Sequence, residues 1–71
     1  MYKVTIRFED GRELPTGDDF DDLGEACRFT LDLADRSGRS KGDGHGPAKW
    51  VRIYLGEELQ IAISVVPGGL L

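Results

Sequence analysis

The sequence predicts an α+β fold with two layers, in which one amphipathic helix packs on one face of a mostly antiparallel, four-stranded sheet. The main observation is the order ββαββ: two pairs of short alternating segments lie on either side of one stretch with helical periodicity. The second observation is length, because 71 residues leave room for a single domain, which we predict to span residues 1–71.

The first hairpin is predicted from alternation and from a turn dipeptide. Residues 2–9 alternate apolar and polar side chains, which is typical of a half-buried strand. Asp10-Gly11 follows and predicts a type I′ turn, which needs positive φ at both central residues. A short second strand, residues 12–14, then ends at Pro15, because proline cannot donate a ladder hydrogen bond and is confined to sheet edges.

One helix is predicted over about residues 23–36. Asp22 is suited to cap its first turn, with Glu25 three residues later completing a capping box. Apolar side chains then recur along a single arc at helical spacing, so one side of the helix is expected to pack on the sheet. Gly38 is expected to end the helix in the left-handed conformation.

A glycine-rich loop and a second hairpin complete the chain. Residues 37–48 hold four glycines and no large apolar side chain, which predicts a long flexible loop. Residues 49–55 and 59–66 alternate as strands, and residues 67–71 form a tail. This second hairpin brings the number of predicted strands to four.

The register of the second hairpin decides which of its side chains face the helix. A three-residue loop places Val51 and Ile53 beside the apolar set of the last strand, whereas a two-residue loop places Trp50 and Tyr54 there. A shift of one residue exchanges the two faces of a strand. We favour the three-residue loop, because it separates apolar from polar side chains more cleanly.

The scarcity of reactive side chains argues against catalysis and against a bound metal. Cys27 and His45 are the only cysteine and the only histidine, so an internal disulfide cannot form and a tetrahedral zinc site lacks ligands. Cys27 falls on the apolar arc of the helix, where we expect a small buried hydrophobe rather than a reactive thiolate. His45 lies between glycines that offer no rigid platform, so we interpret it as a solvated loop residue rather than a base or a metal ligand. We therefore expect no enzymatic activity and no cofactor.

The chain carries no sequence signal for export or membrane insertion. Its N-terminus alternates apolar and charged residues, unlike the apolar core of a signal peptide. No apolar run approaches the roughly 20 residues that a membrane helix needs. We expect a cytoplasmic protein with no membrane partner, and a lone thiol fits a reducing compartment.

Charge is unevenly distributed along this acidic chain, whose formal net charge is −4. Residues 9–25 hold eight of the thirteen acidic side chains, and residues 36–52 hold five of the nine basic ones. Four aspartates are predicted to surround the start of the helix: Asp18, Asp19, Asp21 and Asp22. Two interpretations remain open for them, namely complementation of the helix dipole together with solubility, or a docking surface that attracts a basic partner.

A second group of candidate binding residues lies on the strands. Trp50, Arg52 and Tyr54 alternate along one strand and are expected to share a face with Lys3 and Arg7 of the first strand. Tryptophan, tyrosine and arginine are the side chains most enriched at binding hot spots. Aromatic side chains interleaved with basic ones also suit the stacking of single-stranded bases or of another planar ligand. A third alternative is that these side chains only pack against their cross-strand neighbours.

In size and charge the chain is similar to small acidic inhibitors carried by phages, among them the anti-CRISPR proteins. The run from Phe20 through Ala34 also looks like the helix of many small bacterial and phage ββαββ proteins. Trp50, near the start of the first strand after the helix, resembles a tryptophan of the dodecins, which are small flavin-binding oligomers. The N-terminal hairpin and the tight second turn depart from the dodecin pattern.

These observations predict a small, non-enzymatic interaction module of the inhibitor or adaptor kind. It is expected to dock a protein partner or a second copy of itself, because a chain this short buries little surface on its own. The alternative is that the aromatic and basic face of the sheet binds single-stranded nucleic acid or a planar ligand.

Overall fold

The computed structural model describes residues 1–39 and 48–68. Its elements are, in chain order, β1 (Tyr2–Phe8), β2 (Glu13–Phe20), α1 (Leu23–Arg39), β3 (Ala48–Leu55) and β4 (Glu58–Ser64). The strands form one sheet in the order β2-β1-β3-β4, and each neighbouring pair is antiparallel. The helix packs on one face of this sheet, so the predicted two-layer α+β fold is confirmed.

The core lies between α1 and the two central strands, β1 and β3. Its fully buried side chains come from both layers: Val4, Val51 and Ile53 from the sheet, and Ala26, Thr30 and Ala34 from the helix. The helix presents small side chains to the sheet, which lets the two layers approach closely. The buried Thr30 hydroxyl donates a hydrogen bond of 2.7 Å to the carbonyl of Ala26 one turn earlier. This polar group is therefore satisfied within the helix itself.

The helix begins as the sequence predicts. The Asp22 carboxylate accepts a hydrogen bond of 3.0 Å from the backbone N–H of Glu25, and Asp22 thereby caps the first turn. Phe20, at the end of β2, packs on Phe29 of the helix with their ring centroids 5.1 Å apart. This aromatic contact anchors the end of β2 to α1.

The helix ends differently from the prediction. Gly38 belongs to α1, which continues to Arg39, so both the left-handed cap at Gly38 and the loop structure expected from residue 37 are wrong. The last carbonyls of a helix lack an intrahelical donor and need another partner. A distant part of the chain supplies one, because the N–H of Gly68 donates to the Gly38 carbonyl at 2.8 Å.

Two further predictions fall on residues that the structure does not describe. Most of the predicted loop, residues 40–47 with His45, lies outside the described ranges. Residues 69–71 of the predicted tail lie outside them as well.

The first hairpin turns through three residues rather than two. The Gly11 N–H donates to the Phe8 carbonyl at 3.0 Å. Gly11 has a φ of 92°, whereas Asp10 has no positive φ, so the predicted type I′ turn is wrong. The extra loop residue shifts the returning strand by one position, which places Glu13 opposite Arg7.

Strand β2 is longer than predicted. It passes Pro15 and continues to Phe20, so the expectation that the strand ends at Pro15 is wrong, although β2 does lie at a sheet edge. An edge strand can hold proline, because its outward-facing nitrogen needs no partner. The register then shifts at a β-bulge opposite Val4, where Gly17 has a φ of 86°, a conformation that glycine adopts without strain. The bulge lets β2 bend and still reach the start of the helix.

The second hairpin combines the two registers that the sequence leaves open. Its turn has the two-residue form, with residues 56–57 at the tip. Gln60 is then an extra residue in β4, a β-bulge that shifts the register by one. Beyond the bulge Ile53 lies opposite Ile61, so the apolar faces of the two strands meet as a three-residue loop would have them. The favoured assignment of faces is confirmed beyond the bulge, whereas the three-residue turn, which would pair Leu55 with Leu59, is wrong.

Candidate functional site

The face of the sheet opposite α1 carries most of the candidate binding residues. We call it the open face, because no described residue forms a second layer over it. Its side chains line up across the strands in three rows, taken here from β2 to β4. The first row is Asp19, Lys3, Tyr54 and Leu59; the second is Pro15, Thr5, Arg52 and Ala62; the third is Glu13, Arg7, Trp50 and Ser64. Arg52 thus occupies an inner position of the middle row.

Trp50 and Tyr54 flank Arg52 along β3. Alternate residues of a strand point to the same side, so the two rings lie on either side of the Arg52 side chain. Trp50 is 39% exposed, and Leu59, which lies opposite Tyr54, is 47% exposed. The open face therefore presents apolar surface on both sides of a positive charge.

An ion pair across β1 holds Arg52 in place. Its Nη1 lies 3.1 Å from Oε1 of Glu13 in β2, and the two side chains are only 21% and 27% exposed. The pKa of the Arg52 guanidinium is raised above its ordinary value, mainly by hydrogen bonding with Tyr54 and further by the Glu13 carboxylate, while partial burial opposes the shift. Arg52 therefore carries a permanent positive charge in a restricted orientation.

Two buried side-chain atoms in the middle row have no hydrogen-bond partner within the described part of the chain. They are the hydroxyl oxygen of Thr5 and Nε of Arg52, which belong to residues directly opposite each other. A buried polar group without a partner costs roughly 1–3 kcal/mol. The centre of the open face is therefore less stable than its packing alone would make it.

The four aspartates predicted around the helix start are divided between two places. Asp21 and Asp22 precede α1, where Asp22 caps the first turn. Asp18 and Asp19 belong to β2, and Asp19 lies opposite Lys3 on the open face. The longer β2 explains the difference, because it takes this acidic pair into the sheet.

The carboxylates of Glu13 and Asp19 are members of the open face that the sequence reasoning missed. Their position depends on the number of residues in the first loop, since one residue more or less exchanges the faces of β2. The sequence does hold a signal, because residues 9–11 also fit a three-residue loop with glycine in its left-handed last position.

The remaining candidate groups lie away from the open face. Cys27 is half-buried and packs against the core, so its side chain is less buried than the sequence predicts. Two basic side chains near the end of α1 pair with acidic ones a turn earlier: Arg36 with Asp32, and Arg39 with Asp35. Within residues 1–39 and 48–68, no three side chains of the metal-binding types come together.

Comparisons with protein-family models, with curated proteins and with solved structures found no match to this chain. In the described ranges, no helix has both the length and the apolar character needed to cross a membrane.

Proposed function

We propose that the protein is a small, non-enzymatic interaction module whose open face binds another protein. The observation that supports this most directly is the exposed Trp50 near Tyr54, with Arg52 between them and fixed by Glu13. Aromatic and arginine side chains that are rigid before binding suit a hot spot, because little side-chain entropy is lost on association. The partner is expected to contribute apolar surface for the two rings and an acceptor oxygen for Arg52.

The charges of the open face favour a protein over a nucleic acid. Lys3, Arg7 and Arg52 share this face with Glu13 and Asp19, which gives it a net charge of +1. Arg52 is already paired, and the two carboxylates would repel a phosphate backbone laid across the strands. Proteins that bind single strands line their grooves with basic side chains instead. A surface of mixed charge suits a partner of mixed charge.

The proposal extends to an inhibitor or adaptor role in the cytoplasm. The rest of the chain carries a net charge of −5 when the open face, at +1, is subtracted from the total of −4. Such a charge steers a basic partner and raises its association rate more than its affinity. A cytoplasmic location is supported by the single unpaired thiol of Cys27.

Trp50 provides a direct test of the binding face, because it is the only tryptophan of the chain. Proteins captured by the wild-type chain from extracts of its native host are purified and titrated back, and the emission of Trp50 is obtained by subtracting the emission of the captured protein alone. We expect a saturable shift in that emission. Arg52→Ala and Tyr54→Ala are each expected to weaken binding by roughly tenfold or more, as hot-spot truncations do.

Arg28→Ala is the matched control for Arg52→Ala, since Arg28 is exposed on the helix, on the opposite side of the molecule. It should bind as the wild type does, and circular dichroism should show that all three variants fold. Equal losses for the two arginine substitutions would show that the open face is not the binding surface. Saturable quenching by an oligothymidine, with an affinity that falls log-linearly with salt, would replace the protein partner by a nucleic acid.

A further inference from the structure

No described strand lies beyond β4 at its edge of the sheet, and we propose that β4 pairs with β4 of a second copy of this chain to give a twofold-symmetric dimer. The dimer is independent of the partner proposed for the open face, because it uses a strand edge rather than a sheet face. It rests first on a difference between the two edges of the sheet.

The β2 edge is better protected against pairing than the β4 edge. Pro15 interrupts the outer hydrogen-bonding row of β2, the bulge at Gly17 bends the strand, and Asp18 and Asp19 add charge. Natural proteins use these devices to prevent edge-to-edge association. From Leu59 onward β4 has neither a charged residue nor a proline, and beyond its bulge at Gln60 the residues from Ile61 to Ser64 pair regularly with β3.

The outward hydrogen-bonding groups of β4 follow from its pairing with β3. The Val65 N–H donates to the Lys49 carbonyl at 2.9 Å. The other odd-numbered residues in this part of β4, Ile61 and Ile63, therefore also direct their backbone N–H and C=O groups to β3. Ala62 and Ser64 therefore direct theirs away from the sheet, where no described strand lies. In an antiparallel pair, opposing residues must both point toward each other or both point away. A twofold pairing centred on Ala62 meets this condition.

The same register matches the apolar side chains. Ile61 of one copy lies opposite Ile63 of the other, on the side of the sheet that α1 covers, and both are only half-buried in the single chain. Leu31 is 50% exposed on the flank of α1 opposite Phe29. Since Phe29 packs on Phe20 of β2, the flank with Leu31 is the one nearer β4. Pairing of the two β4 strands would therefore bury apolar side chains that the single chain leaves partly exposed.

The absence of charge along this edge lets a second copy approach it. A chain with a net charge of −4 repels its own copies, and residues 59–66 are an uncharged stretch along which two copies can meet. In the Ala62-centred register the Glu58 side chains of the two copies lie toward opposite ends of the interface, away from the twofold axis. A strand that pairs with itself about a twofold axis also closes the assembly, because no free β4 edge is left.

The dimer would hold one continuous eight-stranded sheet with both helices on the same side. The two β3 strands are then three strand spacings apart, or about 14 Å. Both open faces therefore lie on one surface, and a partner with two matching segments gains from binding both.

The oligomeric state of the full chain tests the proposal. Sedimentation equilibrium from low micromolar to millimolar concentration is expected to show a dimer for the wild type. Ala62→Pro removes an N–H that β3 does not use, so this variant is expected to fold as a monomer. Ala62→Lys places two like charges opposite each other on the twofold axis and is expected to lose the dimer as well.

Leu14→Lys is the matched control, because it adds the same charge to a residue that is 40% exposed in the protected edge strand β2. It should dimerise as the wild type does. Amide hydrogen exchange supplies a second measurement, in which protection of Ala62 and Ser64 should rise with protein concentration.

Each outcome decides the matter. A wild-type chain that stays monomeric overturns the proposal, as does a dimer that survives both substitutions of Ala62. If Ala62→Pro does not fold, Ala62→Lys and the exchange of Ser64 decide instead. Tyr54→Ala should leave the dimer intact, and loss of the dimer in that variant would assign self-association to the open face.

Discussion

The two faces of β3 differ in what their side chains contact. Val51 and Ile53 face α1 and have no solvent exposure, whereas Trp50, Arg52 and Tyr54 face away from it and remain partly accessible. The larger side chains thus lie on the open face, where their neighbours are other residues of the same sheet. The smaller ones lie beneath the helix. This difference indicates that the covered face supplies most of the stability, and that the open face is kept ordered for contacts with a partner.

Ile53→Ala should show the largest effect. Ile53 is fully buried, so the substitution is expected to cost roughly 2–5 kcal/mol of unfolding free energy through lost burial and the cavity left behind. Tyr54→Ala, one residue along the same strand, is expected to cost about 1 kcal/mol, which is the average for single substitutions. Urea unfolding followed by circular dichroism measures both. Equal losses would contradict the distinction between the faces.

Substitution of one threonine on each face should change the free energy of unfolding by smaller amounts and in opposite directions. Thr30→Val on the covered face removes a hydrogen bond of 2.7 Å and is expected to cost about 1 kcal/mol. Thr5→Val on the open face removes a buried hydroxyl without a described partner and is expected to stabilise the protein by about 1 kcal/mol. Thermal unfolding of the two variants decides the signs. If Thr5→Val is as destabilising as Thr30→Val, the Thr5 hydroxyl has a partner in solution.

The ion pair of the open face should contribute less. A double-mutant cycle with Glu13→Gln and Arg52→Gln is expected to give a coupling of about 0.5–1 kcal/mol, because both side chains remain partly solvated. The raised pKa of Arg52 means that its stabilising charge is present at every pH below its ordinary titration range and is lost only above it. The coupling should therefore be the same at about pH 6 and about pH 9. A coupling that changes between these values would contradict a constant charge on both members of the pair.

The smallest effect is expected for deletion of Gln60. Without this bulge residue the two-residue turn leads directly into the pairing of Ile53 with Ile61, so both faces stay as they are and stability changes by less than about 1 kcal/mol. Deletion of Ala62 is the control, since it turns Ile63 and Val65 out of the covered face and should cost roughly 2–3 kcal/mol. Thermal unfolding measures both. Equal losses would show that the bulge itself is needed.

Much of the fold follows from the sequence because periodicity reports it directly. Alternation locates β1, β3 and β4 within a few residues, and the capping pattern at Asp22 gives the start of α1. The predicted ends of β2 and α1 are wrong because tertiary contacts override a local sequence rule there. Pro15 is tolerated because β2 is an edge strand, and Gly38 stays helical because Gly68 supplies the donor that a cap would have supplied.

The candidate site was predictable only in part. Alternation alone puts Trp50, Arg52 and Tyr54 on one face, and the structure places them there with β1 residues alongside. The carboxylates of Glu13 and Asp19 could not be assigned in the same way, because their face depends on a loop length that two turn types satisfy almost equally well.

The strand order has a consequence for how fast the chain folds. Each hairpin joins strands that are neighbours in sequence, whereas the pairing of Val4 with Ile53 joins residues most of the chain apart. Such distant contacts carry the larger loss of chain entropy and tend to set the folding rate. Docking of the two hairpins should therefore be the slow step. The helix α1 connects the two hairpins in sequence and covers their junction in space. Its formation should therefore speed the docking of the hairpins as well as stabilise the four-stranded sheet that results.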